Sequence, residues 1–189
     1  MTTTEANSPT VIVLASGRGE RFIAAGGTGS KLKALLAGRP VLERTLDAVR
    51  ASGLPWHLED AGHPGMGDSI AAAVRATPHA AGWLILPGDL PLVQPATLRA
   101  VAAALGGRVN AVQPEYRGER GHPVGFAAGC WAQLAALEGN LGASSVLRAM
   151  RAIDSVIDLA VDDAGVVTDI DTPEALARAE ALWQARVGA

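Results

Sequence analysis

Apolar runs and amphipathic segments alternate along the chain, and each predicts one structural element. Residues 11–14 and 82–86 are apolar throughout, which is typical of short strands buried on both faces of a sheet. Between them, an apolar stripe with the helical period ends near the Ser52-Gly53 pair and comprises Leu42, Leu46 and Val49. These segments predict strands and helices that follow one another in turn.

The same pattern continues to the end of the chain. Further strands are predicted at residues 55–60, at residues 109–113 and from residue 166. Further helices are predicted after a cap at Asp68 or Ser69, from Pro95, over residues 130–137, after residues 139–145, and from Pro173 with Thr172 as the N-cap. Because the connections are long enough for crossovers, the sequence predicts an α/β fold with three layers, α/β/α, around a mainly parallel sheet.

Length and charge limit the functions that this fold could serve. The chain has 189 residues, which fits a single domain over residues 10–187 after a disordered lead at residues 1–9. Its formal net charge is −3 and its basic residues are scattered, so we expect no nucleic-acid-binding surface. Cys130 is the only cysteine, which excludes an internal disulfide and a cysteine-based zinc site. No membrane span or signal peptide is apparent, so we expect a cytoplasmic protein.

Small residues follow the first predicted strand and indicate a phosphate site. Residues 15–19 have small or absent side chains at all but one position, so backbone N–H groups can approach a ligand closely. Arg18 and Arg21 add positive charge there. A third glycine is absent because Phe22 takes its place, and no Gly-Lys-Ser/Thr follows. The pattern therefore does not support a dinucleotide-binding fingerprint or a P-loop.

Acidic residues follow two later predicted elements. Asp89 comes directly after the apolar run at residues 82–86, so it would lie at the carboxyl edge of the sheet, where open α/β folds bind ligands. Mg²⁺ favours such hard oxygen ligands, typically one or two carboxylates with phosphates and water. Asp169 and Asp171 stand just before the last helix, and helix initiation does not explain them.

Five motifs resemble, in the same order, those of the molybdenum cofactor nucleotidylyltransferases, which are MobA-like NTP transferases. That family has a GT-A-like fold, the Rossmann-like fold of the nucleotide-diphospho-sugar transferases. The first motif, L-x-x-G-x-G-x-R, is matched by Leu14-Ala15-Ser16-Gly17-Arg18-Gly19-Glu20-Arg21. The others are matched by Gly65-Met66-Gly67-Asp68-Ser69, Gly88-Asp89-Leu90-Pro91, Gly121-His122-Pro123-Val124 and Asp169-Ile170-Asp171-Thr172-Pro173.

The resemblance implies a role for each segment. Asp89 and Asp171 would be the ligands of one Mg²⁺, and His122 and Pro123 would contact the acceptor. Lys31 is the best match to the family's phosphate-contacting lysine, with Lys33 as the alternative. The catalytic residues would be Asp89, Arg21 and Lys31. The nucleotide would be bound by Leu14, Ala15, Ser16, Gly17, Arg18, Gly19, Lys31, Gly67, Ser69 and Asp89.

The implied reaction is Mg²⁺-dependent transfer of a nucleoside monophosphate from CTP or GTP to the terminal phosphate of molybdopterin, with release of pyrophosphate. A molybdoenzyme or its chaperone is the protein partner that the resemblance implies. The His122 motif favours CTP, although Ser16 departs from both the cytidylyl and the guanylyl openings. Asn140 and Ser144 replace an acid and an arginine of the family, and the region of residues 54–65 is short. Two alternatives therefore stay open, a sugar- or polyol-phosphate acceptor and a non-catalytic nucleotide- or cofactor-binding protein.

Overall fold

A seven-stranded sheet forms the centre of the computed structural model, which describes residues 8–17 and 19–188. The strands are β1 (Thr10–Leu14), β2 (Leu35–Leu36), β3 (Arg39–Pro40), β4 (Trp56–Glu59), β5 (Gly82–Pro87), β6 (Ala111–Tyr116), β7 (Glu119–Arg120), β8 (Val124–Ala127) and β9 (Val156–Ala160). The sheet order is β4-β1-β5-β8-β6, with β7 on the β8 side of β6 and β9 on its other side. β2 and β3 form a separate antiparallel pair.

The sheet is mainly parallel, as predicted, but one strand inside it is reversed. β1 runs parallel to β4 and β5, and β6 runs parallel to β9. β8 is antiparallel to both of its neighbours, β5 and β6. The reversal starts at a two-residue turn between β6 and β7, where Arg117 and Gly118 have φ angles of 52° and 87°. Two consecutive positive φ angles are typical of a tight hairpin turn, which needs no crossover.

Helices cover both faces of the sheet, which confirms the three-layer architecture. They are α1 (Glu20–Ala24), α2 (Val41–Ser52), α3 (Met66–Ala76), α4 (Pro95–Ala104), α5 (Trp131–Ala135), α6 (Ser144–Arg151) and α7 (Pro173–Val187). α2 and α4 share an apolar core with Val11 and Val13, whereas α3, α5 and α6 share one with Ile12. Successive strand residues point to opposite faces, so the continuous apolar run of β1 contributes to both cores. Among the described residues, no helix has the combined length and apolar character that a membrane crossing requires.

Several local predictions are confirmed. α2 ends at Ser52 before Gly53, whose φ of 72° is the left-handed conformation that favours glycine at a helix end. Thr172 is the N-cap of α7, and its Oγ1 accepts a hydrogen bond from Ala175 N at 3.1 Å. α7 packs with α1 and with Ile170 in a third apolar cluster. These features depend on residues close in sequence, which explains why a local pattern predicts them.

The predicted cap of α3 is wrong. The helix begins at Met66 with Gly65 as its N-cap and has no side-chain cap. Asp68 Oδ2 instead accepts a hydrogen bond from Gly139 N at 3.1 Å, and Ser69 Oγ donates to Gly65 O at 3.2 Å. Asp68, which the sequence pattern assigned to the cap, therefore forms a tertiary contact with Gly139 instead.

The predicted strand at residue 166 is also wrong. Residues Ala164–Val167 form a 3₁₀ turn, and Asp163 starts it by accepting a hydrogen bond from Gly165 N at 2.9 Å. Strand β9, which the sequence analysis did not predict, lies just before this turn at the edge of the sheet, and β2, β3, β7 and β8 were also not predicted. Ile157 and Asp158 are exposed on β9, so its apolar pattern is weak.

The turn at Ala164–Val167 packs so closely on the loop after β5 that only glycine fits at residue 165. A Cβ added to Gly165 would lie 2.2 Å from Leu92 O and 2.3 Å from Leu92 C. We expect Gly165→Ala to lower the free energy of unfolding by about 1–3 kcal/mol, the usual cost of overpacking, as measured by urea unfolding. The control is Gly129→Ala, because a Cβ at Gly129 meets no atom within 4 Å. Equal losses in the two variants would contradict this account.

Candidate active site

One cavity of about 780 Å³ lies at the edge of the sheet where β1 and β5 end. Its wall is drawn from residues within 14–22, 63–69, 87–90, 119–122 and 166–171, together with Lys31, Leu32 and Asn140. All five motifs from the sequence therefore contribute to one cavity. The carboxyl edge of a mainly parallel sheet is the place where such ligand sites are expected.

Backbone hydrogen bonds fix the turn that follows β1. Ala15 N donates to Glu59 O at 2.9 Å, and Gly88 N donates to Leu14 O at 2.9 Å. Gly88 has no room for a side chain, since an added Cβ would lie 2.9 Å from Leu14 O. The turn is thus held between the ends of β4 and β5, and Ser16, Gly17 and Gly19 line the cavity.

The turn itself combines open space with polar side chains. Gly17 is exposed, and an added Cβ there would meet nothing within 4 Å. Gly19 has a φ of 65°, which favours glycine, and it precedes the short helix α1. Ser16 Oγ and Ser69 Oγ lie 2.9 Å apart, which joins the first and second motifs. Arg18, predicted to bind the nucleotide, lies outside the described residues.

Asp89 and Asp171 converge as the sequence analysis predicted, and Lys31 joins them. Lys31 Nζ donates to Asp89 Oδ2 at 2.5 Å and to Asp171 Oδ1 at 2.6 Å. Arg21 Nη1 lies 2.5 Å from Asp171 Oδ2, although the Arg21 side chain is 79% exposed. Lys33 is exposed and does not line this cavity. The three residues predicted to be catalytic therefore lie in one ion-pair network with the predicted second metal ligand.

The network shifts the protonation equilibria of its members. Burial lowers the pKa of Lys31, but the charge of Asp89 and the hydrogen bond to Asp171 outweigh it and leave that pKa raised. Burial would raise the pKa of Asp171, but the hydrogen bond and the charge of Lys31, together with the hydrogen bond from Asp169 and the charge of Arg21, outweigh it and hold that pKa below its ordinary value. Burial and the neighbouring Asp171 raise the pKa of Asp169. Lys31 is thus kept charged, and Asp171 is kept ionised.

The donor set at Asp89 fits a divalent cation with a preference for oxygen. Asp89 is 9% exposed, and its Oδ1 is buried without a hydrogen-bond partner. A buried carboxylate oxygen is costly to leave unpaired, so this atom is available as a ligand. No cluster of three His, Cys, Asp or Glu side chains suited to a metal occurs in residues 8–17 and 19–188. Two carboxylates with water and substrate phosphates are nevertheless the usual surroundings of Mg²⁺.

His122 lies on the other side of the cavity, in the break between β7 and β8. Its backbone N donates to Val166 O at 2.9 Å, and its Nδ1 is buried without a hydrogen-bond partner. Burial lowers the pKa of His122, although the charge of Asp89 opposes the shift. A neutral imidazole with an unpaired nitrogen can hydrogen-bond a bound ligand.

Among the predicted site residues that the structure describes, three are absent from the cavity wall. Ala15 and Pro123 adjoin residues that line it, and Pro123 is buried. Gly67 is buried in α3, where an added Cβ would lie 2.8 Å from Glu138 O. Close packing of α3 on the segment before α6 explains this glycine without a ligand.

Several polar groups beside the cavity escaped the sequence analysis. Glu59 is 6% exposed, and its carboxylate lies 3.3 Å from His63 Nε2 and 3.6 Å from His57 Nε2. His57 and Glu59 share one side of β4 because they are two residues apart in a strand. His63 comes from the following loop and lines the cavity. The strand spacing of His57 and Glu59 was visible in the sequence, but their proximity to the first turn depends on the pairing of β4 with β1.

A second ion-pair group flanks the cavity near His122. Arg120 lines the cavity and donates through Nη2 to Asp158 Oδ2 at 2.7 Å, and Arg151 donates to Asp158 Oδ1 at 2.5 Å. The hydrogen bond from Arg151, assisted by Arg120, holds the pKa of Asp158 below its ordinary value. These residues come from β7, β9 and α6, so only the tertiary fold brings them together.

Asp163 anchors the segment that carries Asp169 and Asp171. It is 2% exposed, and its Oδ2 accepts hydrogen bonds from Gln94 N at 2.9 Å and Thr97 Oγ1 at 2.7 Å. Further along the same segment, Ile170 N donates to Asp89 O at 3.0 Å. The segment is therefore tied both to the start of α4 and to the loop after β5, which holds the two acidic motifs together.

Comparison with known proteins identifies relatives of this architecture. A family model described as "MobA-like NTP transferase domain" matches residues 11–156, which is more than half of the chain. Rv0371c from Mycobacterium tuberculosis H37Rv is 26% identical with a TM-score of 0.74, over 96% of this chain and 100% of that one. A structure of Rv0371c in complex with manganese is 25% identical with a TM-score of 0.71, over 93% and 99%. No curated protein matches the chain significantly.

More distant structures share the fold. The nucleotidyl transferase Mth528 from Methanothermobacter thermautotrophicus is 21% identical, with a TM-score of 0.75 over 95% of this chain and 99% of that one. Molybdopterin-guanine dinucleotide biosynthesis protein A from Archaeoglobus fulgidus is 20% identical, with a TM-score of 0.59 over 93% and 99%. Each aligns over nearly its whole length, which supports the α/β architecture described above.

The buried imidazole of His122 leads to a prediction about pH. We expect its ¹H NMR titration to have a midpoint below the ordinary value of 6.5, because burial disfavours the charged form. Since the unfolded state binds that proton more readily, the contribution to stability is present above the unfolded pKa and is lost as the pH falls through the folded value. The variant His122→Gln assigns the resonance, and a midpoint above 6.5 would contradict the prediction.

Proposed function

This chain belongs to the family of MobA-like NTP transferase domains, and we propose that it transfers a nucleoside monophosphate from CTP or GTP to the terminal phosphate of molybdopterin. Pyrophosphate is the second product. The observation that carries the proposal is the convergence of five sequence motifs on one cavity, with Lys31, Asp89 and Asp171 in contact there. A pair of carboxylates beside a glycine turn and two cations suits the binding and reaction of a metal-bound triphosphate.

In this mechanism the nucleotide lies along the turn after β1. Amides of Ser16, Gly17 and Gly19 and the side chains of Lys31 and Arg21 bind the phosphates, and the Ser16–Ser69 pair lies toward the nucleoside. Asp89 and Asp171 would hold Mg²⁺, which would supply charge neutralisation at the reacting and leaving phosphates. Fixed amides and cations need little reorganisation during the reaction, so positioning and electrostatics supply the rate enhancement.

The acceptor occupies the side of the cavity formed by Glu119–Arg120 and His122. Its terminal phosphate is already ionised near neutral pH, so its attack needs no general base. We assign His122 to contact with the acceptor and not to removal of a proton. We assign Pro123 a supporting role, because it follows His122 directly and is buried at the start of β8.

The Gly121-His122-Pro123-Val124 motif favours CTP over GTP and molybdopterin over other acceptors. The Archaeoglobus relative named for molybdopterin-guanine dinucleotide biosynthesis has the same fold and is consistent with that acceptor class. We further propose that the product passes to a molybdoenzyme or its chaperone. The only cysteine of the chain, Cys130, is buried and free, which fits a reducing cytoplasm.

The substrate assignment is tested by incubating the protein with Mg²⁺, molybdopterin and each of the four nucleoside triphosphates in turn. Pyrophosphate release that is greatest with CTP and needs molybdopterin is the expected result. If pyrophosphate is released only when a sugar phosphate or a polyol phosphate is supplied instead, that compound is the acceptor and molybdopterin is not. Nucleotide binding without any release would indicate a binding protein instead of an enzyme.

The metal-ligand assignment predicts that Asp89→Asn lowers the rate of pyrophosphate release by about 100-fold or more, in line with the loss of a key electrostatic group. The change removes a charge and almost no volume, so circular dichroism and size-exclusion profiles should match those of the parent protein. Asp47→Asn is the matched control, because Asp47 lies on the outer side of α2 and is 41% exposed. Parent-level activity in Asp89→Asn would contradict the assignment.

A further inference from the structure

Lys31 occupies the space between the two carboxylates that are assigned to the metal. Its Nζ contacts Asp89 Oδ2 at 2.5 Å and Asp171 Oδ1 at 2.6 Å, and its side chain is only 13% exposed. Arg21 engages the remaining oxygen of Asp171. Asp89 Oδ1 is therefore the one carboxylate oxygen of this pair that has no partner in the described structure.

Lys31 Nζ would compete with a divalent ion placed between the two carboxylates, because it already contacts Asp89 Oδ2 and Asp171 Oδ1. Two cations in contact in a partly buried site also repel each other strongly. The charges of Lys31 and Arg21 balance those of Asp89 and Asp171, and Asp169 beside Asp171 adds one further carboxylate. A bare divalent ion would therefore add more positive charge than that carboxylate can balance, whereas a triphosphate brings the negative charge that does so.

Lys31 needs only to rotate its side chain to reach a nucleotide. Its stem packs against the turn after β1, since a Cβ added to Gly19 would lie 3.6 Å from Lys31 Cγ. That turn is the proposed phosphate site. The Lys31 stem thus lies beside the proposed phosphate site while its Nζ contacts the carboxylates, and a flexible four-carbon side chain can turn from one to the other.

We propose that Lys31 is an internal counter-ion that keeps the metal site closed until a nucleoside triphosphate draws its ammonium group away from Asp89 and Asp171. This inference rests on the proposed function, because it requires a triphosphate in the same cavity. Metal and nucleotide then bind cooperatively, and the metal alone binds weakly. The lysine thereby sets the order in which the site is filled.

Binding of Mn²⁺ alone to the nucleotide-free protein tests this role without any measurement of activity. We expect Lys31→Met to tighten Mn²⁺ binding by about tenfold or more, as measured by calorimetry or by the EPR signal of free Mn²⁺, because the competing charge-assisted contacts are lost. The same variant should bind CTP more weakly in the presence of Mn²⁺. Lys33→Met is the matched control, since Lys33 is exposed in the same short turn, and its Mn²⁺ affinity should equal that of the parent.

Each other outcome has a defined meaning. If Lys31→Met binds Mn²⁺ no more tightly than the parent, while Asp89→Asn abolishes binding, the counter-ion role fails and the metal site stands. If neither the parent nor any variant binds Mn²⁺ even with CTP present, the metal-dependent function fails together with the counter-ion role. If Lys31→Met does not fold, Lys31→Gln, which keeps a hydrogen-bond donor without the charge, is measured in the same way and must show the same tightening.

Discussion

Two carboxylates from opposite halves of the chain share one ammonium group, and much of the local structure serves to hold them there. Asp89 and Asp171 would repel each other at this separation without Lys31 between them. The backbone supports the arrangement through the hydrogen bond from Ile170 N to Asp89 O, and Asp163 ties the same segment to the start of α4. The site is thus preorganised by packing and by hydrogen bonds that involve no reacting group, as a precise electrostatic site requires.

Close backbone contacts have a similar purpose elsewhere in the cavity wall. Gly88 and Gly121 each lie so near a neighbouring carbonyl that a Cβ would collide with it, at Leu14 O and Val166 O respectively. Glycine at such points lets the segments that carry Asp89 and His122 approach the neighbouring chain closely. The cavity is therefore shaped by the omission of side chains as much as by the polar groups that face it.

The sequence predicted best those parts that depend on neighbouring residues. The buried strand before Asp89 and the cap of α7 by Thr172 follow from local patterns and are present in the structure. Three features escaped prediction because contacts distant in sequence determine them. The start of α3 depends on a contact with Gly139, and strand β9 depends on its pairing with β6. The 3₁₀ turn at Ala164–Val167 depends on its packing against the loop after β5. The motifs placed Asp89, Asp171 and Lys31 in one site, but no pattern indicated that Lys31 would contact both carboxylates or that Glu59 would lie beside the first turn.

The reversed direction of β8 has an architectural consequence. In its antiparallel pairing with β5, Val124 at the start of β8 lies opposite Ile85 near the end of β5. A strand that ran with its neighbours would present its last residue at this edge, whereas β8 presents the residues that precede it, and these include His122. The segment from β7 to the start of β8 thus reaches the cavity from a separate stretch of chain, so changes in its length or sequence can alter the proposed acceptor side of the cavity while the glycine turn and Asp89 stay unchanged.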